Sequence, residues 1–198
     1  ESGIYHEEKL HSSDLFSEVA CNFLNGHDSD DPFFLYLSFT APHDPRDTHP
    51  KYHAMYDADK VTVPENFMEK HPFDQGDYET RDEKLAPWPR TPEIIQEHLA
   101  AYYAMITHLD AQVGQVLDAL ESTGKADNTI VVFAGDNGLA VGQHGLLGKQ
   151  NMYDHSVRVP LVFSGPGIPR GERREAFTYL IDIYPTLFEL AGLGIPSS

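Results

Sequence analysis

A single cysteine, Cys21, is all the sulfur nucleophile the sequence contains. One thiol cannot form an internal disulfide, so the fold has no covalent staple and cysteine usage leaves the redox compartment open. Basic residues are also scarce: 14 lysines and arginines stand against 31 acidic residues, a formal net charge of −17. A surface of that sign repels phosphate backbones, which argues against a nucleic-acid partner. Any anion site must then be a local basic focus within a negative surface. No apolar run reaches the length of a membrane-spanning helix. Internal repeats and low-complexity tracts are absent, which sets aside solenoids and flexible linkers. The chain opens Glu1-Ser2-Gly3 with no targeting segment, and reads as a piece of a longer protein.

What is present is enough for a packed core. The 198 residues are 40% hydrophobic and 23% charged, the balance of an ordinary globular chain. Ser12-Ser13-Asp14 supplies an N-cap, and Leu15, Phe16, Val19, Phe23 and Leu24 share one helical face, which predicts a helix to about Leu24. Cys21 lies inside that helix as a packing residue, since nothing near it in sequence would stabilise a thiolate. Asp28, Asp30 and Asp31 precede the next strand candidate rather than follow it, as a solvated loop would. Thr91 caps and Pro92 opens the clearest helix, whose apolar stripe runs through Ile95, Leu99, Tyr102, Ile106, Leu109, Val113, Val116 and Leu120 to a stop at Gly124. His98, His108 and Asp110 fall off that stripe and are expected at the surface or behind the site. Near the end, Tyr179 to Ala191 reads as a closing helical segment stopped by Gly192.

Two stretches carry chemistry. Phe33 to Phe39 is a short apolar run of buried-strand character that leads directly into Ala41-Pro42-His43-Asp44-Pro45-Arg46. A histidine just past a strand end, held between prolines, is placed to bind an anion or act as a general acid. The second stretch, Thr129 to Pro166, opens with the β-branched run Ile130-Val131-Val132-Phe133, predicted as a strand buried on both faces. Asp136 and Asn137 follow, where ligands of open α/β sheets sit. Carboxylate and amide oxygens with no thiolate nearby suit a hard cation, calcium or magnesium, rather than zinc. Glycines at 138, 142, 145 and 148 bring the backbone close to a ligand, and Lys149 can neutralise an anion. A second strand, Val159 to Phe163, closes the unit. Between the two stretches, residues 47–91 lose periodicity and gain prolines, and read as a rim insertion over the site with Trp88 as a packing residue or sugar platform.

Gly135-Asp136-Asn137-Gly138, Gly142-Gln143-His144-Gly145, Gly148-Lys149, Tyr153-Asp154 and Ser156-Val157-Arg158-Val159-Pro160-Leu161 follow in an order that resembles the C-terminal metal-and-lysine segment of type I sulfatases, in the alkaline phosphatase superfamily. The Ala41-Pro42-His43 context and the Ile-Asp-Ile-Tyr-Pro-Thr-Leu run resemble the same family. The resemblance implies an α/β fold, an alkaline-phosphatase-like sheet sandwiched by helices, here lacking its first strands and nucleophile segment. It implies Asp136 and Asn137 as half of a Ca2+ site (Mg2+ possible), with His43 and Lys149 catalytic. Arg46 and His144 are candidate substrate contacts. The family's nucleophile is a formylglycine made from Cys or Ser in C/S-x-P-x-R. Cys21 is followed by Asn22-Phe23, and Ser164 has Pro166 but Ile168 where arginine is needed, so formylglycine is expected upstream of this chain. The implied partners are a sulfated small molecule or carbohydrate and the remainder of the catalytic domain. The implied destination is export to periplasm, exterior or lysosome, and the fragment alone is expected to be inactive. A phosphatase or phosphodiesterase of the superfamily, or a non-catalytic remnant binding anionic glycans, is the alternative.

Overall fold

The computed structural model describes residues 11–194, so the reading of the Glu1-Ser2-Gly3 opening lies outside it. Helix α1 (Ser12–Gly26) starts where expected, but its cap is His11, whose Nδ1 accepts from the Ser13 amide at 3.2 Å. Two further helices precede the sheet: the one-turn α2 (Pro50–His53) and the long α3 (Pro92–Ser122). Thr91 caps α3 as predicted, its hydroxyl accepting from the Ile94 amide, and Gly124 follows the end with φ 71°. The segment 47–91 carries small elements of its own, α2 and 3-10 turns at Ala58–Lys60 and Glu83–Leu85.

Helices α1 and α3 pack on each other, but not by the faces that apolar spacing selects. The buried residues of α1 are Ser13, Ser17, Ala20 and Leu24, and those of central α3 include Ala104, Met105, His108 and Gln112. Small side chains let the helices approach closely, and Ser17 donates to Gln112 across the contact, while the buried Ser13 hydroxyl has no partner. Val19, by contrast, is 57% exposed. His108, expected near the surface, is fully buried. Burial is tolerated because both ring nitrogens have partners, Asp14 at 2.9 Å and Thr48 at 2.8 Å, and Tyr52 stacks on the ring. Burial lowers the His108 pKa, with Asp14 opposing it. For Asp14 itself burial acts upward, but hydrogen bonds from His108 and His49 outweigh it and leave the carboxyl below its ordinary value.

Phe33 to Phe39 pairs with no strand among the described residues, which corrects its assignment as a strand. Its period-two pattern survives. Phe33 and Phe39 lean on Phe23 and Phe16 of α1, while Phe34 and Tyr36 are 79% and 80% exposed. A strand is defined by its hydrogen-bonding neighbour, and sequence composition alone does not supply one.

The sheet consists, among the described residues, of β1 (Val131–Ala134) and β2 (Leu161–Ser164), antiparallel with Val131 opposite Ser164 and Ala134 opposite Leu161. Both lie close to the predicted strands. Neither is buried on both faces, since Phe133 and Val162 are about half exposed. Helix α4 (Asp154–Val157) lies between them, and α5 (Ile183–Leu190), led by a 3-10 turn at Leu180–Asp182, closes the chain with Gly192 at its stop. The hydrophobic cluster of Ala86, Ile95, Leu99, Val141 and Leu147 joins the start of α3 to the glycine-rich loop. A buried leucine such as Leu147 contributes about 1.5–3 kcal/mol, so this cluster is what holds the loop in place.

Candidate active site

The chain leaves β1 through Gly135, whose amide donates to the Pro160 carbonyl at 3.2 Å, and presents Asp136 at the surface. Asp136 Oδ1 accepts from the Asn137 amide at 2.9 Å, and Asn137 Nδ2 donates to the Gly138 carbonyl at 2.9 Å. That leaves Asp136 Oδ2 and Asn137 Oδ1 without a hydrogen-bond partner among the described residues. Two unengaged hard oxygens on adjacent residues fit calcium or magnesium and would supply a minority of calcium's six to eight ligands. Gly138 is dictated by close approach: a Cβ there would lie 2.0 Å from the His155 carbonyl oxygen. The loop closes on itself through Ala140 to Gly148 and Gly142 to Leu146, both at 2.9 Å.

Glu83 and Arg90 clamp the far side of this loop. Their side chains are 1% and 0% exposed and meet at 2.6 Å. The Glu83 carboxylate accepts from the amides of Leu147 at 3.1 Å and Gly148 at 2.7 Å, and Arg90 donates to the Gly145 carbonyl. A buried ion pair recovers its desolvation only when further hydrogen bonds complete it, as these amides do. Burial depresses the Arg90 pKa, opposed by Glu83. The guanidinium also lies 3.6 Å from the Trp88 ring centroid, so one face of Trp88 is packed. The sequence reading singled out neither Glu83 nor Arg90; the only signal for them is a pair of opposite charges 7 residues apart.

His43 lies between Pro42 and Pro45. Arg81 donates to its Nε2 at 3.0 Å, so Nδ1 carries the proton and donates to the Asp44 carbonyl at 3.0 Å. Arg81 in turn pairs with Asp82 at 2.6 Å, and Asp82 accepts from Gln150 at 3.2 Å. The Gln150 Oε1 accepts from the Lys149 amide at 3.1 Å. A continuous hydrogen-bonded chain therefore links His43 to Lys149, through Arg81 and Asp82 that the sequence reading did not single out. Burial would raise the Asp82 pKa, but hydrogen bonds from Arg81 and Gln150 and the charges of Arg81 and Lys149 outweigh it and hold the carboxyl low. The Lys149 ammonium makes no ion pair among the described residues.

Arg46 is buried and turned to the protein. Its Nε lies 3.0 Å from Asp44 Oδ1, and its NH1 donates to His98 Nδ1 at 2.7 Å. The 3.0 Å contact joins the charges without hydrogen-bond alignment, and Arg46 NH2 has no partner. Burial lowers the pKa of both Arg46 and His98. His144 adopts φ 52°, its amide donating to the Asn66 carbonyl at 2.9 Å and its Nε2 meeting Asn66 Nδ2 at 3.1 Å. Its ring stacks on Tyr153 at 4.1 Å, and Tyr153 reaches His71 at 3.0 Å. Behind them burial and the nearby His144 push His155 down to about 4. The structure thus brings His43 and Lys149 into one network and ties Asp136 and Asn137 to Lys149 through the loop backbone. Among the described residues no hydrogen bond or ion pair joins Asp136 or Asn137 directly to His43 or Lys149.

The sequence is 35% identical to an arylsulfatase of Clostridium perfringens over 98% of this chain and 41% of that protein. It is 34% identical to a choline-sulfatase of Rhizobium meliloti over 86% of this chain and 34% of that one. The fold superposes on a phosphonate monoester hydrolase from Silicibacter pomeroyi with a TM-score of 0.76 at 27% identity, covering 94% of this chain and 40% of the other. The chain thus spans between about a third and two fifths of the length of these relatives. The sulfatase family profile matches residues 1–193, and the chain belongs to the sulfatase family.

Proposed function

We propose that the protein carrying this chain hydrolyses sulfate esters, and that this chain contributes part of the catalytic site. The observation that carries the reading is the loop from Asp136 to Lys149, which begins with a carboxylate and an amide that keep unengaged oxygens and ends, beyond the segment clamped by Glu83 and Arg90, in an ammonium with no ion pair among the described residues. A sulfate ester bears charge on its non-bridging oxygens, and that charge shifts to the bridging oxygen as the ester bond breaks. Lys149 is a mobile point charge suited to the non-bridging oxygens. His43 is suited to protonate the leaving oxygen once an incoming sulfate draws Arg81 away and the freed Nε2 takes up a proton from water, Nδ1 keeping its own on the Asp44 carbonyl. Asp136 and Asn137 would hold Ca2+ (or Mg2+), which when bound supplies Lewis-acid polarisation of the sulfate oxygens. Arg46 supports the site from behind by fixing Asp44 and His98, and His144 braces the loop beside Tyr153.

The formylglycine nucleophile is expected from the remainder of the domain. Cys21 does not serve: burial raises its thiol pKa, and from α1 it donates to the Gln115 carbonyl of α3 at 3.5 Å. The substrate is a sulfated small molecule or carbohydrate, residues 47–91 form the rim that selects it, and the destination is an exported compartment. In the intact protein, Lys149→Ala is expected to lower kcat/KM for an aryl sulfate about 10²–10³-fold. The 198 residues alone are expected to turn over none. Undiminished kcat/KM in the variant, or turnover by the isolated chain, would contradict the reading.

A further inference from the structure

At the start of α1, away from the glycine-rich loop, ligand atoms of His11, Asp14 and His108 all lie within 4.8 Å of one another. They come from two helices and are brought together by the small-residue contact of α1 with α3. The outer nitrogens of both imidazoles are held by consecutive residues of one loop. The Asp47 carbonyl can only accept, so His11 Nε2, 3.2 Å away, carries a proton and Nδ1 keeps its lone pair, which caps the Ser13 amide at 3.2 Å and must turn from that amide to reach an ion. His108 Nδ1 meets the Thr48 hydroxyl at 2.8 Å, which can accept its proton and leave the lone pair on Nε2. That nitrogen faces Asp14 Oδ1 at 2.9 Å. Two electron-pair donors at this distance need a cation between them, a proton or a metal. His49 Nε2 lies 2.5 Å from the other oxygen, Asp14 Oδ2, and so sets the direction of the carboxylate. Ligating histidines whose second nitrogen is held by a carbonyl or hydroxyl, with a ligating carboxylate itself hydrogen-bonded, are the usual surroundings of a protein metal.

We propose that His11, Asp14 and His108 form a second, soft-leaning metal site, separate from the oxygen pair at Asp136 and Asn137. Two imidazoles and one carboxylate select a late first-row divalent ion, zinc foremost, with Co2+ as its spectroscopic substitute. Asp14 is partly exposed, so an ion has an entry path and water can complete the shell. His49 is a positioning residue acting through Asp14. Coordination at His108 moves its single proton from Nε2 to Nδ1, where the Thr48 hydroxyl accepts it, so the imidazole stays neutral and no redox change is needed.

The test uses the intact protein, stripped of metal and kept in saturating Ca2+, titrated separately with Co2+ and Zn2+. One equivalent of Co2+ is expected to bind, with the visible bands of a low-coordinate site, and Zn2+ should displace it while Ca2+ does not. His11→Asn keeps an N-capping oxygen for α1 but removes the imidazole, and should weaken Zn2+ and Co2+ by at least about tenfold. The same variant should leave hydrolase activity in Ca2+ unchanged, which separates this site from the proposed catalytic one. His49→Gln should weaken binding without abolishing the bands. No saturable Co2+ or Zn2+ binding, displacement by Ca2+, or equal affinity in the folded His11→Asn protein would overturn the site.

Discussion

At the residue scale, the histidines divide by what holds their nitrogens rather than by position in the sequence. His43 was legible because a strand-like run and two prolines present it. His108 was not, since a polar residue off the apolar stripe reads as surface until Asp14 and Thr48 are known to meet it. His155 has a measurable consequence. Its pKa falls from an ordinary 6.5 to about 4 in the folded protein through burial and the neighbouring His144. Between these values the unfolded chain binds the extra proton, so this residue makes stability rise with pH from about 4 to 6.5. His155→Gln is expected to flatten that part of the stability profile of the intact protein, as read by thermal melts across it; an unchanged slope would remove His155 as its cause. His144→Ala loses the stack on Tyr153 and the contact with Asn66, and should cost about 1 kcal/mol in chemical denaturation.

Helices and strands differ in how much of them composition can specify. The α3 boundaries were readable because caps and periodicity are local, and Thr91→Ala is expected to cost about 1 kcal/mol. Its buried face was only partly readable. Along the first turns Ile95 and Leu99 are buried as the stripe requires, but by His108 and Gln112 the contact has rotated toward the serines and alanine of α1. Which face is used depends on the partner helix, a non-local fact. The same holds for Phe33 to Phe39, whose alternation is strand-like while its pairing lies elsewhere. The Glu83 and Arg90 clamp is likewise tertiary. Glu83→Ala leaves Arg90 buried without its carboxylate and releases the amides before Lys149, a loss of about 3–5 kcal/mol by denaturation. Glu83→Gln, which keeps an acceptor oxygen, should lose less. Equal stability of the Ala variant and the parent would mean the clamp does not hold the loop.

For the molecule as a whole, apolar surface at Phe34, Tyr36, Phe133 and Val162 is left open among the described residues. Expressed by itself, the chain is expected to bind hydrophobic dyes or self-associate, whereas the intact protein should do neither. A monodisperse fragment without dye binding would contradict that expectation. Asp136, Asn137 and Lys149 stood out from residue order as one glycine-rich run, and His43 as a histidine between prolines after an apolar run. The network through Arg81 and Asp82 was not, since those residues sit in the aperiodic rim and reach His43 only through folding.

The most direct test of the central reading is the rate of sulfate release from an aryl sulfate by the intact protein after chelation and metal replacement, run beside a phosphonate monoester. Activity should be lost on chelation, restored by Ca2+ better than by Zn2+, largely absent in Asp136→Ala, and greater on the sulfate ester. Faster hydrolysis of the phosphonate with Zn2+ as the restoring ion, or full activity in Asp136→Ala, would contradict the account and move the site to phosphoryl-type chemistry.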